Sequence, residues 1–417
     1  MSVALVWFRR DLRLQDNPAL QAALDAGHDV VPVYIHAPHE EGEWAPGAAS
    51  DAWRHRSLAA LDADLRTRGS SLVLRSGDSL PALQLLIAQT GAEAVYWNRK
   101  YEPATQPRDA TIKRMLREQG IDAQSCNGSL LFEPWDIATQ QGQPYKVFTP
   151  YWRNVLSHWR LPALQAAPEA LAPHAVDSLA LDDLQLAPTL DWDTGFWEHW
   201  QPGEAGALEA LSVFEDGALR GYREQRDLPD RVGTSRLSPH LHFGEIAPWR
   251  IAHALEGLRS AGTDADIDGY LRQLGWRDFA YHLLHHFPKT PTDNLNPRFD
   301  RFPWATPSDA QLHDWQRGNT GVPIVDAGLR ELWHTGYMHN RVRMIVASYL
   351  CKHLRAHWLQ GARWFWDTLV DADLANNTMG WQWVAGTGAD AAPYFRVFNP
   401  VTQAEKFDPK ARYISRW

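Results

Sequence analysis

The fold class this sequence predicts is an α/β domain on a doubly wound parallel sheet, followed by an all-helical domain. Three observations predict it. Up to residue 128, short β-rich runs alternate with helical stretches, and such a βαβα rhythm builds parallel, Rossmann-like sheets. Residues 160–202 then carry Pro162, Pro168, Pro173, Pro188 and Pro202 in a Leu/Ala/Asp-rich stretch with little periodicity. That texture reads as a connection draped over the surface. Residues 203–417 return to long amphipathic segments. The predicted divisions are 1–128, a connector at 129–202, and a helical domain at 203–417.

Each element has a local reason. Residues 3–8, 30–35, 72–74 and 94–97 are short runs rich in Val, Leu, Tyr and Trp, the composition of buried strands. Residues 51–68 place Leu58, Leu61 and Leu65 at three- and four-residue spacing, and 81–89 and 110–118 are further helices. In the second half, 324–332 and 340–354 are the clearest amphipathic segments. No GxGxxG or Walker pattern follows any strand, which disfavours a dinucleotide or NTP loop.

Composition narrows the class. Of the 417 residues, 44% are apolar and 22% charged, which excludes a disordered or fibrous chain. No run of eighteen apolar residues exists, so no membrane helix is expected. The opening residues lack the basic region of a secretory signal. Cys126 and Cys351 are too few for a disulfide framework or a cysteine zinc site, so a cytoplasmic protein is expected. The formal charge of −9 argues at first against nucleic acid. Split by halves, it argues less. Residues 1–200 hold 17 basic and 25 acidic side chains, whereas residues 201–417 hold 24 and 25, and 20 of those 24 are Arg. Trp, at 21, outnumbers Phe at 14 and Tyr at 12, and the default reading of that excess is core packing.

Among the motifs, Tyr222-Arg223-Glu224-Gln225-Arg226-Asp227 precedes Gly233-Thr234-Ser235-Arg236-Leu237-Ser238-Pro239. Ser238 before Pro239 reads as a hydroxyl N-cap with Pro at the first helical position. The hydroxyls of Thr234 and Ser235 and the free N–H groups would offer donors to a diphosphate. Taken alone, this segment reads as a plain capped helix. His353 and His357 are four apart but lack the intervening Glu of a zinc helix, so a solvated helix face is expected for them, and His282, His285 and His286 lack a partner at ligand spacing. No metal is expected.

Further motifs follow in order: Trp276-Arg277-Asp278-Phe279, Met338-His339-Asn340-Arg341-Val342-Arg343-Met344, Asp371-Ala372-Asp373-Leu374-Ala375-Asn376-Asn377, and Gly380-Trp381-Gln382-Trp383. Together with the opening Trp7-Phe8-Arg9-Arg10-Asp11-Leu12-Arg13 and the closing Tyr394-Phe395-Arg396-Val397-Phe398-Asn399-Pro400, they run from residue 3 to the end. On these motifs the sequence resembles the photolyase/cryptochrome flavoprotein family. The resemblance implies an N-terminal α/β antenna domain and a helical domain that holds FAD. It also implies blue-light-driven electron transfer from reduced FAD to a cyclobutane pyrimidine dimer in UV-damaged DNA, the reaction of a deoxyribodipyrimidine photolyase.

Residue by residue, the resemblance assigns Tyr222, Thr234, Ser235, Arg236, Leu237 and Ser238 to the FAD diphosphate and its surroundings. It assigns Arg277, Asn340, Arg343, Asp371, Asp373 and Asn377 to the isoalloxazine and adenine, with Asn377 near flavin N5 and Arg343 paired with Asp371. Trp381, Trp358 and Trp304 match the family's electron relay. Trp276 and Trp383 match the walls of the lesion cavity, where a flipped base stacks on aromatic faces. Trp381 and Trp383, two apart on a helical turn, would point in different directions, and Asn340 and Met344, four apart, share a face. Gln273, Arg277, Asn340, Arg341, Met344 and Gln403 complete the expected DNA contacts. Trp7, Trp97, Trp152, Trp249 and Trp333 keep the core reading.

Two departures stand out. The residue three before Trp276 is Gln273, where dimer-repairing photolyases carry Glu, so it keeps hydrogen bonding but not proton donation. Gln there points towards a photolyase-like cryptochrome, a light sensor with little repair, or towards (6-4) photoproducts; Asn340, Met344 and Trp383 point towards cyclobutane dimers. The Ala104-Thr105-Gln106-Pro107 stretch displaces the family's folate-contacting Glu, so folate is not claimed as the antenna; the resemblance allows an antenna chromophore but leaves its identity unassigned. Relatives continue for a few dozen residues past Trp417, which implies a longer natural chain. A monomer is expected.

Overall fold

The structure is a computed structural model that describes residues 2–392 and 395–417. Its first part is a five-stranded, wholly parallel sheet in the order β3-β2-β1-β4-β5: β1 (Val3–Phe8), β2 (Asp29–His36), β3 (Val73–Ser76), β4 (Ala94–Asn98) and β5 (Asp122–Cys126). Between the strands run α1 (Pro18–Asp25), α2 (Ala48–Thr67), α3 (Ser79–Thr90) and α4 (Thr105–Glu118). The central strand shows why its sequence is apolar without alternation. Ala4, Val6 and Phe8 enter the core on one face, and Leu5 and Trp7 enter the core on the other. A strand buried on both faces has no polar side to display.

β5 is the strand that sequence reading misses. Its residues, Asp-Ala-Gln-Ser-Cys, are mostly polar because it is an edge strand, with only Ala123 buried.

The helical half comprises α5 (Phe148–Ser157), α6 (Glu204–Val213), α7 (Tyr222–Gln225), α8 (Ser238–Phe243), α9 (Pro248–Gly257) and the long α10 (Asp264–His286). It continues with α11 (Asp309–Arg317), α12 (Pro323–Thr335), α13 (Asn340–Ser348), α14 (Trp358–Thr368), α15 (Leu374–Ala385), α16 (Pro400–Phe407) and α17 (Arg412–Arg416). The segment expected as one helix over 340–354 is α13 followed by a π-helical turn, Tyr349–His353.

The connector is not all surface. From α5, Phe148, Tyr151, Trp152 and Val155 pack into one core with Leu271, Leu274 and Phe279 of α10. Farther on, Leu171, Leu184, Phe196 and Trp200 pack into the core of the sheet domain.

Trp7, Trp97, Trp152 and Trp249 are buried as expected, but Trp333 is 57% exposed. Ile324, Val325, Leu329 and Leu332 occupy the core face of α12, and Trp333 falls with exposed Arg330 and His334 on the outer face. There it lies parallel to Trp364, with ring centres 6.3 Å apart.

Buried polar groups join the two halves. Arg13, from the opening motif, donates to Gly244 O at 2.8 Å, Asp16 O at 2.7 Å and Gly128 O at 2.8 Å. Gly244, at φ +66°, permits this approach, since a Cβ there would lie 2.1 Å from Arg10 O. Fully buried Glu245 accepts from Trp53 Nε1 of α2 at 2.9 Å and from Gly203 N at 2.8 Å, and pairs with His240 Nδ1 at 2.5 Å. Glu245→Ala strands three buried groups, each worth about 1–3 kcal/mol. The variant is expected to melt several degrees below the parent by calorimetry, with Glu245→Gln between them. Equal melting temperatures would refute this junction.

Candidate functional site

The loop from Gly233 to Ser238 lies between α7 and α8. Gly233 lets it run tight against α7, because a Cβ there would sit 2.6 Å from Gln225 O. Tyr222 opens α7 and is buried, and burial raises its phenol to about 12. In the loop, the Ser235 hydroxyl meets Tyr270 OH at 2.8 Å, and Thr234 is half-buried. Arg236 adopts φ +56°, with its guanidinium 4.5 Å from the ring centre of Trp200 and 5.1 Å from that of Tyr337. Its Nε is buried without a partner.

The expected Ser238 cap is corrected. Leu237 is the boundary residue, and Ser238 lies inside the first turn of α8 with no side-chain capping bond. Its hydroxyl instead donates to Asp371 Oδ2 at 2.6 Å.

Asp371 is the meeting point of distant elements. Arg343 of α13 reaches its two oxygens from one nitrogen, at 3.0 and 2.8 Å, while Arg343 Nε donates to Met338 O at 2.7 Å. Burial works against the Arg343 charge, but Asp371 and Tyr337 more than offset it and hold its pKa above the ordinary value. The side chain still keeps 23% of its surface open.

Two residues on, Asp373 caps α15 by accepting from Asn376 N at 2.9 Å. It also accepts from the Tyr281 hydroxyl, and His242 Nδ1 lies 3.4 Å away. Burial alone would raise this carboxyl, yet His242, Arg277 and Tyr281 hold it well below the usual carboxylate range. Asn377, one turn into α15, donates to Ala362 O at 2.9 Å. Asn340 Nδ2 and Met344 Sδ are 4.0 Å apart, on the shared face that four-residue spacing implies.

The Ser235 hydroxyl, the Arg236 guanidinium and the partly exposed Arg343 form a donor set suited to a diphosphate, with the Ser238 hydroxyl engaged by Asp371. The Asn377 amide and the Arg343–Asp371 pair suit a heteroaromatic ring. These residues fit FAD. Arg277 is differently employed: it donates to Ser129 O at 2.6 Å and Leu241 O at 3.4 Å, tying α10 to neighbouring backbone.

On the cavity side, Trp276 stacks face to face on Phe148, with centres 3.6 Å and planes 9° apart. Trp383 is half-buried, donates to Asp390 O at 3.1 Å and stacks on Phe398. Its neighbour Trp381 is 2% exposed, so the two indoles do face different ways. Arg341 binds Asp227 at 2.8 Å and lines one open cavity with Gln403 and Lys406. The Gln273 amide turns back to Gly269 O of its own helix at 3.2 Å. Phe148 carried no sequence signal as a site residue, whereas Asp227 was legible as the end of the Tyr222–Asp227 motif. Phe398 was legible as part of the closing motif, whose Tyr394 lies outside the described residues.

Trp381, Trp358 and Trp304 share one hydrophobic cluster, with Trp358 fully buried and Trp304 half-buried. Gly361 makes room for Trp381, since a Cβ there would lie 2.0 Å from its Cη2. His357, expected on a solvated face, instead caps α14 and lies 5.5 Å from the Trp358 ring and 5.2 Å from the Trp304 ring.

Two family models match the chain: DNA photolyase over residues 4–172 and the FAD binding domain of DNA photolyase over residues 270–417. A deoxyribodipyrimidine photo-lyase of Agrobacterium fabrum is 48% identical over 416 residues, covering 99% of this chain and 86% of the relative. Cryptochrome-2 of Arabidopsis thaliana is 38% identical, covering 99% of this chain and 70% of the relative. Among solved structures, a bacterial class III photolyase from Agrobacterium tumefaciens aligns with a TM-score of 0.95 and 48% identity, over 100% of this chain and 86% of that one.

Asp278, beside Arg277, accepts from Leu131 N at 2.8 Å and Phe132 N at 3.1 Å, and burial raises its carboxyl to about 7. A carboxyl raised on folding binds its proton more tightly in the folded state, so its contribution falls as pH rises from about 4 towards 7. Asp278→Asn can keep both backbone bonds without a charge. The parent's melting temperature is therefore expected to fall relative to the variant across that window; a constant difference would refute the assignment.

Proposed function

The chain belongs to the photolyase/cryptochrome family, and on that premise we propose that it is a deoxyribodipyrimidine photolyase that repairs cyclobutane dimers in UV-damaged DNA. The observation that carries this reading is the greater identity, over the same 99% of the chain, to a deoxyribodipyrimidine photo-lyase (48%) than to a plant cryptochrome (38%). Bound, reduced FAD excited by blue light supplies the electron that splits the dimer and receives it back.

The chain's own residues bind, orient and shield. Ser235, Ser238 and Arg236 hold the diphosphate. Arg343 and Asp371 present a neutralised pair towards the ring, and Asn377 orients it from α15. Trp276 and Trp383 form the walls against which the extruded dimer stacks, with Asn340 and Met344 as further contacts. Arg341 and Lys406, on one open cavity, meet the DNA backbone, as phosphate contacts fix register without reading sequence. Trp304, Trp358 and Trp381 pass electrons inward from the surface. An antenna chromophore is consistent with the family; we assign it to the cavity at the carboxyl ends of β1, β2 and β4, lined by Arg9, Arg10, Tyr34, Arg54 and Lys100. The protein works as a monomer in the cytoplasm. Among the described residues no helix is long and apolar enough to cross a membrane.

One observation favours the second reading, a light-sensing cryptochrome: Gln273 has no proton to donate where Glu is expected. Blue light on the FAD-loaded, reduced protein with a thymine-dimer oligonucleotide separates the two. Loss of the dimer is expected, and its full persistence would overturn repair in favour of sensing. For the relay, Trp381→Phe should keep FAD bound and abolish photoreduction of the oxidised cofactor. Undiminished photoreduction would remove Trp381 from that role.

A further inference from the structure

Away from that site, two histidines and a glutamate from distant parts of the chain converge at the surface. Glu198 ends the 3-10 turn Asp191–Glu198 of the connector, His199 follows it, and His334 lies in the last turn of α12. One ligand atom from each lies within 4.8 Å of the other two, and all three residues are exposed. Among the described residues, no side-chain hydrogen bond or ion pair engages any of the three. The imidazole rings of His199 and His334 are 6.4 Å apart and nearly perpendicular.

The backbone that carries these ligands is fixed on every side. Phe196 is buried in the sheet-domain core three residues before His199. Trp200, directly after His199, is buried and donates to Thr335 O, directly after His334, at 2.8 Å. Gly195 lets the two segments touch, since a Cβ there would lie 2.4 Å from His334 O and 3.2 Å from its Nδ1. Both histidines are thus carried on anchored backbone, and the His334 ring packs near Trp417, with ring centres 5.7 Å apart, so the two imidazoles are held close together by the fold itself.

We propose that Glu198, His199 and His334 bind a divalent transition-metal ion of the zinc class. Two imidazoles and one carboxylate are a zinc ligand set, and three protein ligands leave a fourth position for water. Imidazole selects zinc, copper or nickel over magnesium or calcium. The ion staples the connector to α12, within reach of the Arg236 loop but outside the flavin and lesion sites. No linear motif announces it, because 135 residues separate the two histidines.

The test uses chelator-treated, FAD-loaded protein without a histidine tag, titrated with Zn²⁺ by calorimetry, with melting temperature read in parallel. One equivalent is expected to bind and raise the melting temperature. His199→Ala and His334→Ala should each weaken binding by about tenfold or more. His39→Ala, at the other exposed cluster of His39, Glu40 and Asp78, should leave it unchanged. Co²⁺ should give visible d–d bands that vanish in His334→Ala, a signature that simple loss of stability would not mimic. The proposal is overturned if no Zn²⁺ binds more tightly than about 1 mM, or if binding survives both variants, or if it follows His39.

Discussion

A carboxylate charge in the middle of the helical half constrains everything around it. Asp373 is buried, and a buried charge is tolerated only when its oxygens are fully engaged. Tyr281 comes to it from α10, His242 from α8, and Asn376 with the first turn of α15 completes the set. Three helices far apart in sequence must therefore meet at one point for the charge to be satisfied. The residues proposed to meet the flavin ride on two of those helices or on their flanks: Ser238 on α8, Asn377 on α15, and Asp371 two residues before the cap, while Arg277 ties α10 to neighbouring backbone. The geometry of the site is thus a by-product of satisfying one charge.

The same logic accounts for the acidic front half. Its 25 acidic residues do not simply face solvent. Glu41 pairs with Lys100 and Arg10, Glu102 with Arg10, Glu40 with Arg108, and Asp109 with both Arg9 and Arg108. Several of these pairs sit at the carboxyl ends of the strands, where they neutralise one another. Net charge over the whole chain therefore says little about the face that DNA would meet.

Much of this was legible without coordinates. The doubly wound sheet followed from β1, β2 and β4, whose two buried faces write themselves as unbroken apolar runs. The Asn340–Met344 face and the divergence of Trp381 from Trp383 followed from helical spacing. β5 was illegible because an edge strand needs no apolar signature. Ser238 was misread as a cap because its alternative partner, Asp371, is 133 residues away. Trp333 was misread because residue type announces burial on average, whereas the phase of α12 had already given its core face to Ile324, Val325, Leu329 and Leu332. His357 was misread because a ring packed against aromatic neighbours has the same spacing as one in water.

The face-to-face stack of Phe148 on Trp276 bears on how such a protein could be divided or recombined. Phe148 opens α5, more than fifty residues before α6 in the chain, yet it backs Trp276 of α10, the indole proposed as a wall of the lesion cavity. One face of Trp276 is thereby taken, which leaves a single indole face and its edge for any guest. A graft or truncation cut at the proline-rich stretch would carry α6 to α17 intact and leave that indole unsupported. The heritable unit of the cavity begins upstream of α5, and exchanges between relatives that respect it should preserve function better than exchanges made where the sequence looks most like a seam.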